Sequence, residues 1–532
     1  MTIKKLPCPT LLSLPAAFFF LSVALNFDYP ADRLFTWQLL LPSMDVWLLL
    51  IPLAMAAGCG KRFVFWTSLP VWALFLFLRL IRIGDIVVPM FLDRPFNLYI
   101  DSGYLPDLCD LLKTSSRQGD FLLLAVSAVL AVLGGMASSW YAWQVAAKSF
   151  MADRIRLAFL AGSGLILGAA LIWGGDAARP QALIRLGQEI LFIHDRPEQQ
   201  QAFIALLEQT ARDRGARPVL LKGLEGADVL LFVVESYGRT VFSQPRYRQA
   251  MDITMTGFAK VLDQHGFAAV SSYLVSPTYG GSSWLAHGTL ESGLRTGDDL
   301  KEKALLHSSV PPMASCFSKS GYRTVSVMPG TRFAFPEGAY FGYEQAYYAR
   351  DFNYHGPIFG WAPMPDQFVL DWVRRREFTK REQPLFVRYV LISSHAAFNV
   401  QPPYIPDWDV IGDGSIYNDR QPVSYPIIWP NLKNAGDAYL RSLDYVFTTL
   451  GDYFAKYVSA DTLIIIIGDH QPNLQLTGAG EPWSVPVHII SRNPRFLEPF
   501  RKRGYTPGLT PAQPPPHAGM EIFLQEFLQD FR

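Results

Sequence analysis

Acidic and imidazole side chains follow several apolar segments after residue 226, where they could bind a divalent cation. The segments and the residues after them are Asp228 to Val234 with Glu235, Leu385 to Ile392 with His395, and Thr462 to Ile467 with Asp469 and His470. Carboxylate and imidazole ligands together suit Mn²⁺, Zn²⁺ or Mg²⁺. Because an ionisable group after a buried strand is costly unless it is paired or metal-bound, these residues predict a metal site. The alternative interpretation is polar residues of solvated loops.

A segment of small residues could supply a nucleophile. It runs from Gly280 to Gly288, reads GGSSWLAHG, and leads into a predicted helix. A hydroxyl at a helix N-terminus lies near free N–H groups and the positive end of the helix dipole, which favour a phosphate and an alkoxide. A serine hydroxyl of this segment could therefore act as a nucleophile. The alternative is a serine that merely caps the helix.

The segments that carry these residues alternate with helical ones, which predicts an α/β domain. The expected strands are Asp228 to Val234, Thr324 to Met328, Leu385 to Ile392, Thr462 to Ile467 and Val485 to Ile490, and the clearest helix is Ala435 to Tyr457. Continuous Val, Ile and Leu runs indicate strands buried on both faces, as in a mostly parallel central sheet covered by helices. Ligands of such sheets bind beyond the carboxyl ends of the strands, where the candidate residues lie.

The first third of the chain is much more hydrophobic. A membrane-spanning helix needs about 20 mostly apolar residues. Five such stretches occur, at roughly Leu11 to Phe27, Thr36 to Gly58, Phe63 to Arg82, Phe121 to Trp143 and Leu157 to Gly174. We expect a five-helix transmembrane domain over residues 1–175, an amphipathic connector over 176–222 and an extracytoplasmic catalytic domain over 223–532.

Basic residues in the short loops predict the orientation. With five spans, those on one side are Lys4, Lys5, Lys61, Arg62, Lys148, Arg154 and Arg156. Since such residues mark the cytoplasmic side, the N-terminus is expected in the cytoplasm. Everything after residue 175 then lies outside the membrane, in the periplasm or on the cell surface.

Composition excludes several classes of protein. The 532 residues are 50% hydrophobic and only 17% charged, with a mean hydropathy of +0.14, which argues against a disordered chain. The net charge of +1 gives no overall field to attract nucleic acid. Four cysteines without CxxC spacing indicate neither a zinc finger nor a disulfide scaffold.

Together these motifs resemble, over nearly the whole chain, the lipoteichoic acid synthase and phosphoglycerol transferase family of the alkaline-phosphatase (sulfatase-like) superfamily. That family binds one divalent metal, usually manganese, with a Glu, a nucleophilic Thr and an Asp-His pair. The resemblance implies that Glu235, Ser282, Asp469 and His470 hold the metal and that Ser282 attacks. Because Ser282 replaces the usual Thr, Ser283 and Thr278 remain open as nucleophiles.

The resemblance also implies residues that hold the substrate. His395, in Ser394-His395, matches the histidine that positions the headgroup, and Arg332 matches more loosely an arginine that contacts the phosphate or glycerol. Trp284, beside the serine pair, is assigned to the same substrate-binding group.

The implied activity is a metal-dependent phosphotransferase of the bacterial inner membrane. It moves a phosphoglycerol headgroup from a phospholipid, phosphatidylglycerol for preference, to a glycan or polymer hydroxyl through a covalent seryl intermediate. Only Cys109 and Cys316 could lie outside the membrane, whereas phosphoethanolamine transferases often carry several disulfides there.

The alternatives are phosphoethanolamine transfer, phosphodiester hydrolysis and a non-catalytic membrane sensor or assembly protein. The Cys/Ser-x-Pro-x-Arg signature of sulfatases is absent around Ser282, which disfavours sulfate ester hydrolysis.

Overall fold

The computed structural model describes residues 12–27, 42–104, 118–173, 180–216, 219–332, 335, 338–379, 381–427, 431–512 and 518–532. The chain forms two compact units. The first comprises Met1–Pro89 and Arg94–Pro197, and the second comprises Met90–Asp93 and Glu198–Arg532. Their boundary after Pro197 falls inside a helix, Gln181–Ala216, which occupies most of the predicted connector.

The first unit is helical. Its helices are α1 Ser13–Asn26, α2 Met44–Cys59, α3 Lys61–Leu92, α4 Leu98–Asp101, α5 Gln118–Phe150, α6 Asp153–Trp173 and the start of α7 Gln181–Ala216. Its buried core includes Leu50, Leu53, Trp143 and Phe150. Polar groups join the helices as well: the Trp47 indole N–H donates to Ser163 Oγ at 2.9 Å.

Five of these helices overlap the five predicted spans, but the number of clear spans is smaller. Among the described residues, Ala125–Phe150 is the one helical segment that is long and apolar enough to cross a membrane, by length and composition alone. Helices α1 and α2 are apolar, yet their 14 and 16 described residues are shorter than the roughly 20 that a bilayer requires. Lys4, Lys5 and residues 28–41 lie outside the described residues. The five-span domain and its orientation therefore stay predictions.

The second unit is built on an eight-stranded sheet with the order β10-β2-β9-β8-β1-β5-β3-β4. The strands of this sheet are β1 Asp228–Val234, β2 Ala268–Val275, β3 Arg323–Met328, β4 Gln345–Tyr348, β5 Leu385–Leu391, β8 Thr462–Gly468, β9 Ser484–Ser491 and β10 Thr506–Pro507, and β6 Val400–Gln401 pairs separately with β7 Val423–Ser424. The block from β8 to β4 is parallel. This block confirms the mostly parallel sheet, while the antiparallel edge formed by β9, β2 and β10 was not predicted.

Helices cover both faces of the sheet because successive residues of its central strand face two different cores. In β1, Leu230 and Phe232 pack into one core and Leu231 and Val233 into the other. The helices of this unit are the end of α7, α8 Thr240–Ser243, α9 Pro245–Gln264, α10 Ser283–Ser292, α11 Asp299–Leu306, α12 Met313–Lys319, α13 Gly338–Phe341, α14 Asp366–Glu377, α15 Gly436–Tyr457, α16 Leu474–Thr477, α17 Glu498–Lys502 and α18 Ile522–Asp530. The predicted helix from Ala435 to Tyr457 is α15.

Candidate metal centre

Strand register brings the predicted ligands to one edge of the sheet. Val234, the last residue of β1, is paired with Gly468 of β8 on one side and with Leu391 of β5 on the other. The next residues of all three strands therefore leave the sheet at the same level. This places Glu235 beside Asp469 although the two residues are far apart in the sequence.

Glu235, Asp469 and His470 form a buried cluster in which one ligand atom from each residue lies within 4.8 Å of the others. Their exposed fractions are 6%, 1% and 1%. His470 Nε2 lies 3.3 Å from Glu235 Oε1 and 3.6 Å from Asp469 Oδ2. Two carboxylates and an imidazole at this spacing can hold one divalent cation.

Hydrogen bonds around the cluster fix which atoms face its centre. The Nδ1–H of His470 donates to the Gln471 carbonyl at 2.7 Å, so that Nε2 is the atom that carries the lone pair whenever the ring is neutral, as it is in a metal ligand. Asp469 Oδ1 accepts the backbone N–H groups of Ser236 and His470, at 2.8 and 2.7 Å. Asp469 Oδ2 has no hydrogen-bond partner in the described part of the chain. A buried carboxylate oxygen in this situation fits a metal ligand.

Burial and the charges of neighbouring residues together shift the pKa values of the three clustered residues. Burial and the Glu235 carboxylate raise the pKa of Asp469 to about 7. Burial alone would lower the pKa of His470, but Asp469 and Glu235 outweigh it and raise the value to about 9. Burial opposes ionisation of Glu235 as well, yet His395 and His470 hold its pKa well below the usual range. The raised pKa of Asp469 beside the Glu235 carboxylate shows that two acidic groups are crowded together, an arrangement that favours an added cation.

Ser283, and not Ser282, reaches the cluster. Ser282 adopts a left-handed conformation with φ 59° and ψ 43° and precedes α10, which begins at Ser283. The Ser283 hydroxyl lies 3.1 Å from Glu235 Oε2 and 3.1 Å from His470 Nε2. Ser283, which the sequence left open as an alternative to Ser282, is therefore the hydroxyl whose contacts with the cluster the structure describes, while the assignment of Ser282 stays a prediction.

The third hydroxyl considered, that of Thr278, has a different role. Its Oγ1 donates to the Gly281 carbonyl at 2.6 Å, inside the turn that precedes α10. Gly280 has a positive φ of 70°, which a glycine adopts without strain. Thr278 thus stabilises the turn that orients Ser283.

The predicted substrate residues His395 and Arg332 meet on a tryptophan that the sequence did not single out. The Trp361 ring stacks on the His395 ring with centroids 3.8 Å apart and planes 11° apart. The Arg332 guanidinium lies 5.6 Å from the Trp361 ring centroid and also donates to the Trp361 carbonyl. His395 Nδ1–H donates to the Ala396 carbonyl at 2.5 Å, which leaves Nε2 available to accept a hydrogen bond.

Trp284 lies on the other side of the candidate nucleophile in the sequence, and 42% of its surface is exposed. Its indole N–H donates to Asp299 Oδ1 at 3.0 Å, which fixes the orientation of the ring. One turn along the helix, His287 is 7% exposed. The sequence left His287 without a role, and only its i, i+4 spacing from Ser283 could have indicated that it faces the same side of α10.

Comparisons with known proteins identify the fold of this unit. Residues 286–493, which include Asp469 and His470, match the sulfatase family model. A search of the curated proteins finds no match to the sequence.

Three solved structures show a distant likeness. Lipoteichoic acid synthase LtaP from Listeria monocytogenes is 14% identical, with 56% of this chain and 70% of that chain covered and a TM-score of 0.37. Lipooligosaccharide phosphoethanolamine transferase A from Neisseria meningitidis is 13% identical, with 98% and 94% covered and a TM-score of 0.44. Phosphoglycerol transferase GacH from Streptococcus pyogenes, in complex with sn-glycerol-1-phosphate, is 10% identical, with 63% and 91% covered and a TM-score of 0.35.

At these identities and TM-scores, the three likenesses do not define the activity of this chain. The match to the family model, by contrast, covers a continuous segment that contains two of the three clustered ligands. Residues 286–493 of the second unit therefore resemble the sulfatase family, in keeping with the sulfatase-like resemblance of the motifs.

Proposed function

We propose that the chain is a metal-dependent phosphotransferase in which Ser283 is the nucleophile. The observation that carries this proposal is the position of the Ser283 hydroxyl, 3.1 Å from both Glu235 Oε2 and His470 Nε2. A divalent cation, Mn²⁺ for preference, fits Glu235, Asp469 and His470. When bound there, it supplies positive charge that lowers the pKa of a nearby hydroxyl and neutralises phosphoryl oxygens.

The reaction has two displacements. In the first, a bond forms between Ser283 Oγ and the phosphorus of a phospholipid headgroup, and the bond from phosphorus to the diacylglycerol oxygen breaks. The hydroxyl proton of Ser283 ends on the diacylglycerol oxygen as that oxygen leaves. In the second, an acceptor oxygen bonds to phosphorus, the Oγ–phosphorus bond breaks, and the acceptor proton returns to Ser283.

His395 and Arg332 hold the headgroup phosphate in this scheme. Arg332 brings a permanent positive charge, and the free Nε2 of His395 accepts from a headgroup hydroxyl. Stacking on Trp361 restricts both side chains, so little freedom is lost when the phosphate binds.

The donor we favour is phosphatidylglycerol and the acceptor is a glycan or polymer hydroxyl. The first unit, as a five-span domain over residues 1–175 followed by the connector, would keep the catalytic domain of residues 223–532 at the outer face of a bacterial inner membrane. The basic loops support that orientation. Tethering at the surface raises the effective concentration of a lipid donor.

Sulfate ester hydrolysis is disfavoured by the residues that follow the nucleophile. From Ser283 the sequence reads Ser-Trp-Leu-Ala-His, with Leu285 and His287 where the formylglycine signature has proline and arginine. A serine that is not converted to formylglycine keeps its hydroxyl, which can form a covalent phosphoryl intermediate.

The test uses the full chain purified in detergent with Mn²⁺ and headgroup-labelled phosphatidylglycerol or phosphatidylethanolamine. We expect diacylglycerol release and a phosphoglycerol adduct on Ser283, detected by mass spectrometry. Ser283→Ala should lower turnover at least about 1,000-fold, and the matched control Ser282→Ala should keep it within a few-fold.

The other possible results of this assay would each contradict a specific part of the proposal. Absence of turnover with both lipids would refute the transferase, and turnover of phosphatidylethanolamine alone would overturn the donor. Loss of activity in Ser282→Ala but not in Ser283→Ala would refute the assignment of the nucleophile. Release of free phosphoglycerol in the presence of a glycan acceptor would indicate a hydrolase.

A further inference from the structure

The loop that carries His395 is anchored by a buried carboxylate at the start of helix α14. This loop, residues 392–396, follows strand β5. Asp366, the first residue of α14, accepts the backbone N–H of Ile392 at 2.9 Å with Oδ1 and that of Ser393 at 3.0 Å with Oδ2. The backbone N–H of Asp366 in turn donates to Ser393 Oγ at 3.1 Å. Three hydrogen bonds therefore join the end of β5 to the start of α14.

A second anchor joins the same loop to the candidate metal ligand Glu235. Ser394 is fully buried, and its hydroxyl donates to the Glu235 carbonyl at 2.6 Å. The Glu235 N–H donates to the carbonyl of Leu391, the last residue of β5, at 3.2 Å. Both polar groups of the Glu235 main chain are therefore bonded to the segment that leads to His395, so the loop and the metal ligand hold each other in place.

The position of His395 depends on these anchors through a turn of the main chain. The His395 N–H donates to the Ile392 carbonyl at 3.1 Å, which closes a turn on the residue that Asp366 holds. Beyond the turn, the His395 ring stacks on Trp361, and its Nδ1–H is bonded to the Ala396 carbonyl. The direction of the remaining ring nitrogen, Nε2, is therefore set by the turn and the stack together.

A carboxylate suits this anchor because two consecutive N–H groups need two acceptor oxygens. A carboxylate presents two oxygens that only accept, whereas an amide presents one oxygen and a donating amino group. Asp366 is 1% exposed, and burial raises its pKa to about 6, so the group is mostly ionised at neutral pH. Hydrogen bonds to an ionised acceptor are shorter and stronger than those between neutral groups. Asp366 can therefore hold the loop in one conformation.

We propose that Asp366 is a positioning residue that acts through His395, with Ser394 as the second anchor of the loop. Neither residue touches the substrate. A loop without these anchors would let the His395 ring take several directions, and binding of a phosphorylated headgroup would then have to order it. The anchored loop is ordered before the headgroup arrives. The proposal rests on the proposed function, because His395 is taken there as a residue that binds the headgroup.

The test measures binding and needs no turnover. Full-length Ser283→Ala in detergent with Mn²⁺ is titrated by calorimetry with glycerol phosphate and with ethanolamine phosphate. The tighter of the two serves as the probe, so the result does not depend on which donor is correct. Asp366→Asn keeps the size of the side chain but replaces one acceptor oxygen by an amino group. We expect it to weaken the probe about 10-fold and to leave the Mn²⁺ affinity within about twofold.

A double-mutant cycle with His395→Ala separates positioning from a general structural effect. If Asp366 acts through His395, Asp366→Asn should weaken the probe less than about twofold in protein that already carries His395→Ala. The matched control is Asp371→Asn on the same helix. Asp371 is equally buried, but its carboxylate accepts from Arg374 and Arg375 instead of the loop. This control should keep the probe affinity within about twofold.

Ser394→Ala tests the second anchor and decides the matter should Asp366→Asn not fold. Loss of this one hydroxyl should weaken the probe about threefold, and His395→Ala should abolish that effect as well. Unchanged affinity in both variants, or effects of the same size with and without His395, would overturn the proposal. An equal loss in Asp371→Asn, or the absence of binding of either phosphate ester, would overturn it too.

These results separate the two hypotheses. Should the transferase assay fail while the probe binds and depends on Asp366 through His395, only the proposed function is lost. Should turnover occur normally while Asp366→Asn and Ser394→Ala leave the probe affinity unchanged, only the positioning role is lost.

Discussion

Replacing Glu302 by glutamine should make the protein less sensitive to alkaline pH. The carboxyl is 5% exposed, and its burial raises the pKa from 4.5 to about 8. Between these two values the folded protein holds a proton that the unfolded chain releases, so stability falls as the pH rises. The loss is absent below about pH 4.5 and complete above about pH 8. Glu302→Gln removes the titration and therefore the loss.

The magnitude follows from the two pKa values. At about 1.4 kcal/mol per pH unit, the full cost at pH 8.5 has an upper bound of about 5 kcal/mol. Because neighbouring groups and water rearrange around a newly ionised carboxylate, we expect about 2–3 kcal/mol, or roughly 5 °C in the unfolding temperature of a domain of this size. The charged and titratable groups that line a cavity together with Glu302 are His287, Asp299, Lys303 and Arg388. None of them is altered by the substitution.

Thermal unfolding of the detergent-purified full chain measures this effect. The unfolding temperatures of the wild type and Glu302→Gln should agree within about 1 °C at pH 5 and diverge progressively up to pH 8.5, with the variant more stable. Glu498→Gln, which changes a half-exposed carboxylate far from this site in the sequence, is the matched control. An equal shift at both pH values, or a variant less stable at pH 8.5, would refute the reasoning.

Three further predictions concern the sheet edge and its supports. Gly468→Ala should weaken Mn²⁺ binding at least about 10-fold, because the added Cβ would lie 1.9 Å from the Tyr237 carbonyl oxygen. Calorimetry measures the affinity, and unchanged binding would contradict this prediction. Glu291→Ala should cost about 3–5 kcal/mol in chemical unfolding because it leaves the buried Arg388 unpaired, and adding Arg388→Met should recover much of that loss. Mn²⁺ at 100 times its Kd should stabilise the chain by about 2.7 kcal/mol, an increase that Asp469→Ala should abolish in thermal unfolding.

Much of the architecture could be predicted because it depends on local patterns. The apolar runs at β1, β5 and β8 identify buried strands, since only a sheet covered on both faces accepts so many consecutive Val, Ile and Leu residues. The antiparallel edge was missed because β2, which reads AAVSSYLV, has neither a continuous apolar run nor strict alternation. Pairing with β9 selects its conformation, and that pairing joins residues more than 200 positions apart.

The number of membrane spans shows a different limit. Hydropathy locates five apolar stretches, and five helices occur there. Among the described residues, however, length and apolar composition together support one span, and the apolar helices α1 and α2 are shorter than a bilayer requires.

The sequence by itself determined the parallel part of the sheet and the meeting of Glu235, Asp469 and His470, because the carboxyl ends of adjacent parallel strands share one edge. Only the tertiary structure decided that Ser283 rather than Ser282 reaches them. That choice depends on a left-handed backbone at Ser282, a conformation that the residue type does not specify. The stacking of His395 on Trp361 and the cavity at Glu302 likewise depend on packing between segments distant in the sequence, which no local pattern encodes.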